Sequence, residues 1–167
     1  MSNIVLMGFM GAGKTTIGKE LAKALGYEFI DTDERIEKEQ GRKISDIFSK
    51  DGEAAFRDME TDLLRCLQNS KDKFVLSIGG GMPVREENRS LLRSLGTVVY
   101  LKTSKEEILR RVSGDTNRPL LQGGELEEKV TNLMNVREQI YMETAHQSVT
   151  TDGKAPIDII KELISLR

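Results

Sequence analysis

Short apolar runs alternate along the chain with longer segments in which apolar residues recur at helical spacing. The apolar runs cover residues 3–7, 27–30, 74–78, 97–101 and 148–150. Each run is long enough for one strand, and the segments between them are long enough for helices. Such alternation is typical of a mostly parallel sheet with helices on both faces. The pattern therefore predicts an α/β fold, a three-layer α/β/α domain around a central five-stranded parallel sheet.

Amphipathic segments between the strands predict the helices, and no linker or repeat divides the chain. We therefore expect one domain over residues 1–167. Ser45 is predicted to cap a short helix, and Ser104 with Glu107 is predicted to form a capping box. Cys66 lies among Leu63, Leu64 and Leu67 and is predicted to be buried and unreactive. The predicted helices cover residues 16–25, 34–39, 45–48, 53–68, 86–94, 105–112, 125–145 and 156–166.

A glycine-rich octet lies between the first predicted strand and the first predicted helix. Residues 8–15 read Gly-Phe-Met-Gly-Ala-Gly-Lys-Thr, which matches the phosphate-loop pattern G-x-x-x-x-G-K-[ST]. The glycines let successive N–H groups point at one spot, where the next helix adds the positive end of its dipole. Lys14 can reach the outer phosphates of a nucleotide, and the Thr15 hydroxyl can ligate Mg²⁺. The predicted phosphate-binding residues are Gly11, Ala12, Gly13, Lys14, Thr15 and Thr16.

Polar or glycine-rich residues also follow the second and third predicted strands. Asp31 and Asp33 are two residues apart, so on an extended segment their carboxylates leave on the same side. Beside a phosphate loop, one carboxylate can hold hydrated Mg²⁺ while the other orients or deprotonates a hydroxyl. The alternative is a solvated turn that caps the next helix. Gly79, Gly80 and Gly81 indicate close approach of the backbone to a substrate, or alternatively a flexible loop.

Two arginines lie beside apolar helical stripes. Arg137 is four residues after Leu133 and three before Ile140, so it faces inward and needs an anionic partner unless it reaches water from the edge. Arg57 has Glu60 three residues later, which either orients it or forms a plain surface pair. Two arginine forks that share one carboxylate would indicate a small acidic substrate.

The segment from residue 113 to residue 124 loses periodicity and gathers glycine and proline, which is the composition of a mobile lid. Arg118 lies within it and could neutralise charge on a transferring phosphate, as an arginine finger does, or could be a solvated loop residue. His146, the lone histidine, has no nucleophile or metal partner near it in sequence and is expected to be structural.

Composition and charge narrow the class of protein. The chain is 38% hydrophobic and 31% charged, with a net charge of −2 and one cysteine. These values are typical of a soluble globular protein without disulfides. No basic run or aromatic platform indicates nucleic-acid binding, and no apolar run is long enough to span a membrane. We expect a cytoplasmic monomer.

Taken together, these motifs resemble the shikimate kinase family, which belongs to the nucleoside-monophosphate-kinase-like phosphate-loop proteins. The resemblance covers about residues 3–150 and rests on the following segments: Gly8–Thr16, Asp31–Asp33, Asp46–Phe48, Gly52–Glu60, Leu76–Gly81, Asn88–Arg89, Val99–Leu101, Arg118–Leu121, and Arg137 followed by Tyr141. It implies ATP-dependent phosphorylation of the 3-hydroxyl of shikimate with Mg²⁺, a step of chorismate and aromatic amino-acid biosynthesis.

The resemblance also implies a role for each matching residue. Lys14 and Thr15 would serve the phosphates and Mg²⁺, with Asp31 acting on the metal through water, and Asp33 would be the base for the 3-hydroxyl. Arg57 and Arg137 would hold the carboxylate of shikimate, and the backbone of Gly79–Gly81 would give further contacts to the substrate. Arg118 would touch the phosphates of ATP, and Arg111 would lie against adenine. About residues 33–60 would form the substrate-binding segment, and about 113–124 the lid.

Two features fit less closely, and two other functions remain open. The third strand ends in glycines where a Walker-B site has an acidic residue, a feature that the family shares. Residues 152–156 match its adenine loop only loosely. The nearest alternative is another small-metabolite kinase, such as a gluconate kinase. A nucleotide-dependent switch is a second alternative, although a guanine-specific N-K-x-D segment is absent.

Overall fold

The computed structural model describes residues 2–112 and 125–166, which form an α/β/α fold around one sheet. In this part of the chain the sheet has five strands in the order β2-β3-β1-β4-β5, and every pairing is parallel. The predicted sheet is confirmed. Its strands are β1 (Asn3–Met7), β2 (Glu28–Asp31), β3 (Phe74–Ser77), β4 (Gly96–Lys102) and β5 (Gln147–Thr150).

Helices cover both faces of the sheet, and their bounds lie within a few residues of the predicted ones. A short 3₁₀ helix, Met82–Val84, follows the three glycines. The α-helices are α1 (Lys14–Leu25), α2 (Thr32–Gln40), α3 (Ile44–Lys50), α4 (Glu53–Leu67), α5 (Glu86–Leu95), α6 (Lys105–Val112), α7 (Leu126–Thr144) and α8 (Pro156–Ser165).

Strand β1 is the centre of the sheet and separates two apolar cores. Its side chains alternate, so that Val5 and Met7 enter the larger core while Ile4 and Leu6 enter the smaller one on the opposite face. Because both faces of the sheet are covered, β1 reads as a continuous apolar run. Polar residues follow where the strands end, and these ends lie on one edge of the sheet.

Of the two predicted helix caps, the one at Ser45 is wrong and the one at Ser104 is present without its reciprocal Glu107 bond. Ser45 lies inside α3, so its predicted capping role is wrong; the helix starts at Ile44, whose N–H donates to Glu37 Oε2 at 3.0 Å. The Ser104 cap is confirmed, since Glu107 N donates to Ser104 Oγ at 3.3 Å. Asp152 Oδ1 accepts from Ser104 N at 2.9 Å, which is the bond that Glu107 would accept in a complete capping box. Side chains distant in sequence thus contribute to the caps of both helices, Glu37 at α3 and Asp152 at α6.

The predicted burial of Cys66 is wrong, because its side chain is exposed. Leu63, Leu64 and Leu67 define the buried side of α4. At 100° per residue, Cys66 falls well off the centre of that stripe. His146 is structural as predicted, since its Nδ1 accepts from Val98 N at 2.9 Å and ties the end of α7 to β4.

Across residues 2–112 and 125–166, none of the helices is both long enough and apolar enough to cross a bilayer.

Candidate active site

The phosphate loop connects β1 to α1 and takes the backbone conformation that its glycines permit. Gly11 and Gly13 have φ of 84° and 89°, values that an L side chain rarely adopts. Gly13 is the N-cap residue of α1 and has no capping side chain, so the first N–H groups of the helix face the loop. Lys14 folds over the loop and donates to Gly8 O at 2.9 Å and Phe9 O at 3.0 Å. Backbone and ammonium donors are thus concentrated where phosphates would bind.

A hydroxyl and a carboxylate meet beside this loop. Thr15 Oγ1 donates to Asp31 Oδ2 at 3.1 Å. The other carboxylate oxygen of Asp31 accepts from Asp33 N at 2.9 Å and Glu34 N at 3.1 Å. Asp31 therefore caps α2 with one carboxylate oxygen and keeps the other beside Thr15 of the phosphate loop.

The Thr15–Asp31 pair has the donor chemistry that suits Mg²⁺. Within the described ranges, no cluster of three or more acidic, histidine or cysteine side chains is arranged to hold a metal. Mg²⁺ keeps several waters and takes few protein ligands when nucleotide phosphates complete its shell. One hydroxyl and one carboxylate next to a phosphate loop are therefore a fitting set.

Asp33 reaches the cavity from the first turn of α2 and not from an extended segment, so that part of the prediction is wrong. Strand β2 ends at Asp31, and α2 starts at Thr32. Both carboxylates nevertheless line the same cavity. Burial, followed by the charge of Asp31, raises the pKa of Asp33 to about 6, against the lowering effect of Lys14. A carboxyl group with a raised pKa is a better proton acceptor than an ordinary aspartate.

Glu60 is a fully buried carboxylate beside Asp33. A Cβ built on Gly79 would lie 3.0 Å from Asp33 Oδ1 and 3.1 Å from Glu60 Oε2, so both acids lie against this glycine. Burial raises the pKa of Glu60 to about 7, opposed mainly by the Arg57 guanidinium. Glu60 Oε1 accepts from Arg57 at 2.6 Å, while its Oε2 has no partner in the described residues.

Arg57 is held at the mouth of the cavity by two acids of α4, one of them Glu60. Its second contact is to Glu53 at 3.2 Å, and its guanidinium lies over the Phe56 ring at 5.3 Å. The side chain of Arg57 is 12% exposed, and that of Glu60 is fully buried. Arg57 and Glu60 therefore do not form a surface ion pair, which is one of the two interpretations of their spacing in the sequence.

Arg137 faces inward from α7, as its position on the apolar stripe predicts. It is 3% exposed, its guanidinium lies 5.8 Å from the centre of the Phe9 ring, and its Nη1 has no partner among the described residues. A buried arginine with a free donor is costly without an anion. One turn later on α7, the Tyr141 hydroxyl donates to Gly80 O.

Arg111 connects the end of α6 to the phosphate loop. Its Nη1 donates to Gly11 O at 2.9 Å, and its Nε donates to Glu107 at 2.9 Å. This places a planar guanidinium beside the loop, although adenine contact itself stays a prediction. Arg118 and the lid segment 113–124 lie outside the described residues.

One cavity of about 550 Å³ joins the two halves of the site, a volume in the range of small-molecule sites. Gly11, Gly13, Lys14, Thr15 and Thr16 line one end, whereas Ala12 is buried beneath the loop. The acceptor end holds Asp33, Arg57, Gly79, Gly80, Gly81 and Arg137. Three further lining residues of α3 and its approach lie in the predicted substrate-binding segment, but no sequence pattern assigned them an individual role: Lys43, Ile44 and Phe48.

Comparison with known proteins gives one consistent family. The family model described as shikimate kinase matches residues 10–166. A shikimate kinase of Chromohalobacter salexigens is 48% identical over 164 residues, which cover 98% of this chain and 91% of that protein. A shikimate kinase of Enterococcus faecalis is 46% identical over 166 residues, covering 98% and 97%.

Solved structures agree with the sequence comparison. The shikimate kinase from Acinetobacter baumannii in complex with shikimate has a TM-score of 0.95 and 43% identity, covering 99% of this chain and 92% of that one. A gluconokinase from Sinorhizobium meliloti reaches a TM-score of 0.57 at 21% identity, covering 98% and 90%. The gluconokinase therefore shares the fold alone.

Proposed function

The chain belongs to the shikimate kinase family, and we propose that it transfers the γ-phosphoryl group of ATP to the 3-hydroxyl of shikimate, giving shikimate 3-phosphate and ADP. The observation that carries this proposal is the single cavity with a phosphate loop at one end and two inward arginines at the other. The loop suits the polyphosphate of ATP, and the arginines suit the carboxylate of shikimate. The enzyme is an ATP-dependent phosphotransferase with an alcohol as acceptor.

The donor half of the site would hold ATP through the backbone of the phosphate loop. Lys14 would leave the carbonyls of Gly8 and Phe9, to which it now donates, and pair with the outer phosphates. Thr15 and Asp31 would hold Mg²⁺, Asp31 through water. When bound, the ion would neutralise negative charge on the phosphates of ATP.

The acceptor half would hold shikimate by its carboxylate. Arg57 and Arg137 would pair with that group, and the Gly79–Gly81 backbone would approach it closely because glycine has no Cβ. These contacts would bring the 3-hydroxyl near Asp33, which lines the same cavity as the phosphate loop. Positioning of this kind supplies much of the rate enhancement in phosphoryl transfer.

Asp33 would act as the base in the transfer step. The 3-hydroxyl oxygen attacks the γ-phosphorus, its proton passes to the Asp33 carboxylate, and the bond from phosphorus to the β,γ-bridging oxygen breaks to release ADP. Lys14 and Arg118 would neutralise charge on the transferring group. Burial favours this role, since it raises the proton affinity of the carboxylate.

The remaining assignments follow the family and the position of each segment. We propose that about residues 33–60 form the substrate-binding segment and about 113–124 the lid, and that Arg111 lies against adenine. We also propose that the protein acts as a cytoplasmic monomer, without nucleic acid or membrane, in chorismate and aromatic amino-acid biosynthesis.

Release of ADP from the purified protein tests the function. With Mg²⁺ and ATP, we expect turnover that depends on shikimate and stops when EDTA removes the metal. Gluconate in place of shikimate tests the alternative kinase, and tight GTP binding without turnover tests the switch. Turnover with gluconate but not with shikimate, or no turnover with any small acid, would overturn the proposal.

A further inference from the structure

The three-glycine turn consists of Gly79, Gly80 and Gly81, which follow β3. Tyr141 lies behind this turn, on the same helix as Arg137 and one helical turn further along. It is 1% exposed, and its ring packs against the Tyr100 ring with 5.3 Å between the centroids. A tyrosine side chain has two side-chain torsions, so this packing fixes where its hydroxyl lies. Tyr141 is absent from the lining of the cavity, and any effect on the acceptor must therefore pass through other groups.

The first such group is the peptide that joins Gly80 to Gly81. The Tyr141 hydroxyl donates to Gly80 O. The described residues contain no cis peptide bond, so this C=O and the Gly81 N–H point in opposite directions. The Gly81 N–H therefore points away from Tyr141, and within the described part of the chain no acceptor takes it. Gly81 lines the cavity, where this N–H is available to an anion.

The second group is the Arg137 guanidinium. A Cβ built on Gly80 would lie 3.2 Å from both Arg137 Nη1 and the Tyr141 hydroxyl. The Arg137 charge also acts on that hydroxyl, since it lowers the pKa of Tyr141 against the larger effect of burial. Burial raises the pKa of Tyr141 to about 12, so the hydroxyl keeps its proton and remains the donor to Gly80 at neutral pH.

We propose that Tyr141 is a positioning residue for the carboxylate of the acceptor. Its hydroxyl orients the Gly80–Gly81 peptide beside the Arg137 guanidinium, so that the Gly81 N–H and Arg137 Nη1 address the same anion. The inference rests on the proposed function, since the anion is the carboxylate of shikimate. The family motifs that identify the chain gave this tyrosine no role of its own.

Replacement of Tyr141 by phenylalanine tests this role, because it removes one oxygen and keeps the ring. For Tyr141→Phe we expect KM for shikimate to rise about tenfold, as for a lost hydrogen bond that aligns two charged or polar contacts. KM for ATP should stay within about twofold of the wild-type value, because among the described residues the Tyr141 hydroxyl bonds to Gly80 and not to the phosphate loop. Calorimetric titration of shikimate into the nucleotide-free protein should show the same loss in affinity.

Tyr100→Phe is the matched control, since it removes the same hydroxyl from the ring packed against Tyr141. We expect wild-type KM values for both substrates in this variant. An unchanged KM for shikimate in Tyr141→Phe would overturn the inference, as would parallel changes in both KM values and in Tm. Shikimate-dependent turnover by the wild-type protein in the same assay separates this outcome from failure of the proposed function.

Discussion

The charged side chains around the three-glycine turn have fewer partners than their burial requires. Glu60 Oε2 and Arg137 Nη1 are both buried and unpaired within the described residues, and each such group costs about 1–3 kcal/mol or more. The carboxylate of shikimate would supply an acceptor to Arg137. Part of its binding free energy would then come from pairing a donor that the fold leaves without a partner.

Removal of the Arg137 charge should therefore weaken binding of the acceptor selectively. For Arg137→Ala we expect KM for shikimate to rise about 100-fold or more, in line with a lost charge-assisted hydrogen bond and a lost ion pair. KM for ATP should barely change. Arg137→Met fills more of the space and should show the same selectivity, and Arg65→Ala, at an exposed arginine of α4, should show neither effect. An unchanged KM for shikimate in Arg137→Ala would contradict the inward-arginine argument.

Asp33 should favour activity at the expense of stability. Burial and Asp31 hold its pKa at about 6 in the folded protein, against 3.8 as the ordinary value, even with Lys14 and Arg57 acting in the opposite direction. The unfolded chain therefore loses this proton at lower pH than the folded one. As pH rises from about 4 to 6, this carboxyl lowers the free energy of unfolding, and the loss persists above that range.

Asp33→Asn should abolish most of kcat and raise Tm at pH 8. The gain in Tm should shrink towards pH 4, where the wild-type carboxyl is protonated as well. Calorimetric scans in metal-free buffer at both pH values measure this difference, and Asp72→Asn, at an exposed loop residue, is the control. Near-normal turnover would exclude Asp33 as the base, and a lower Tm at pH 8 would contradict the stability argument.

At the residue scale, the sequence predicts the charged residues of the site better than the aromatic residues that contact them. A charged residue on an apolar stripe, such as Arg137, is conspicuous because burial of a charge demands a partner. Tyr141 and Phe9 lie among apolar residues, where an aromatic side chain indicates a core position and nothing more. The site contacts of these two aromatic residues depend on the tertiary fold, and no local pattern in the sequence records them.

At the scale of elements, the turn after β3 is fixed from outside by buried polar contacts. Asn88 is fully buried; its Nδ2 donates to Met82 O at 3.0 Å, and its Oδ1 accepts from Thr61 at 2.7 Å. The Thr61 hydroxyl also contacts Arg57 O at 3.0 Å. Helix α4, which carries Arg57, is thus tied to the residue that follows Gly81.

A methyl group on Gly81 should displace the side chain of Arg57. A Cβ there would collide with the Arg57 guanidinium, the far end of a flexible side chain. Gly81 has φ of −91°, which alanine adopts without strain. For Gly81→Ala we expect KM for shikimate to rise at least about tenfold, with KM for ATP unchanged and Tm within a few degrees of wild type. Wild-type KM for shikimate in this variant would show that Arg57 does not hold the acceptor.

Helices and strands were predictable in number and order within the described residues, whereas their ends were not always so. The ends depend on which side chain supplies the cap: Ser104 caps α6 from the adjacent sequence, but Glu37 caps α3 from the preceding helix. The position of Cys66 shows the same limit, since neighbours in sequence lie on different sides of a helix. Local patterns determine which element forms, and tertiary contacts determine where it stops.

At the scale of the whole molecule, the strand order brings the two halves of the site together. The phosphate loop follows β1 and the three-glycine turn follows β3, and these strands are direct neighbours in the sheet. The alternation of strands and helices predicted a parallel sheet, but it did not determine the order of the strands. That order is a property of the packed core.

Since the acceptor residues are held by the sheet and by buried contacts, shikimate should bind without nucleotide. We expect it to raise the Tm of the nucleotide-free protein in proportion to the logarithm of its concentration once the site is saturated. The Arg137→Ala variant should show a much smaller shift at the same concentration. A wild-type Tm that responds to shikimate only when a nucleotide is present would mean that nucleotide binding builds the acceptor site.

The adjacency of β1 and β3 also sets a dimension for inhibitor design. Neighbouring strands are about 4.8 Å apart, so the phosphate loop and the three-glycine turn leave the sheet side by side and line the same cavity. A bisubstrate compound could therefore join a ring carboxylate to a phosphate mimic through a short, rigid linker. Such a linker loses little conformational freedom on binding, and its two ends would benefit from each other's affinity.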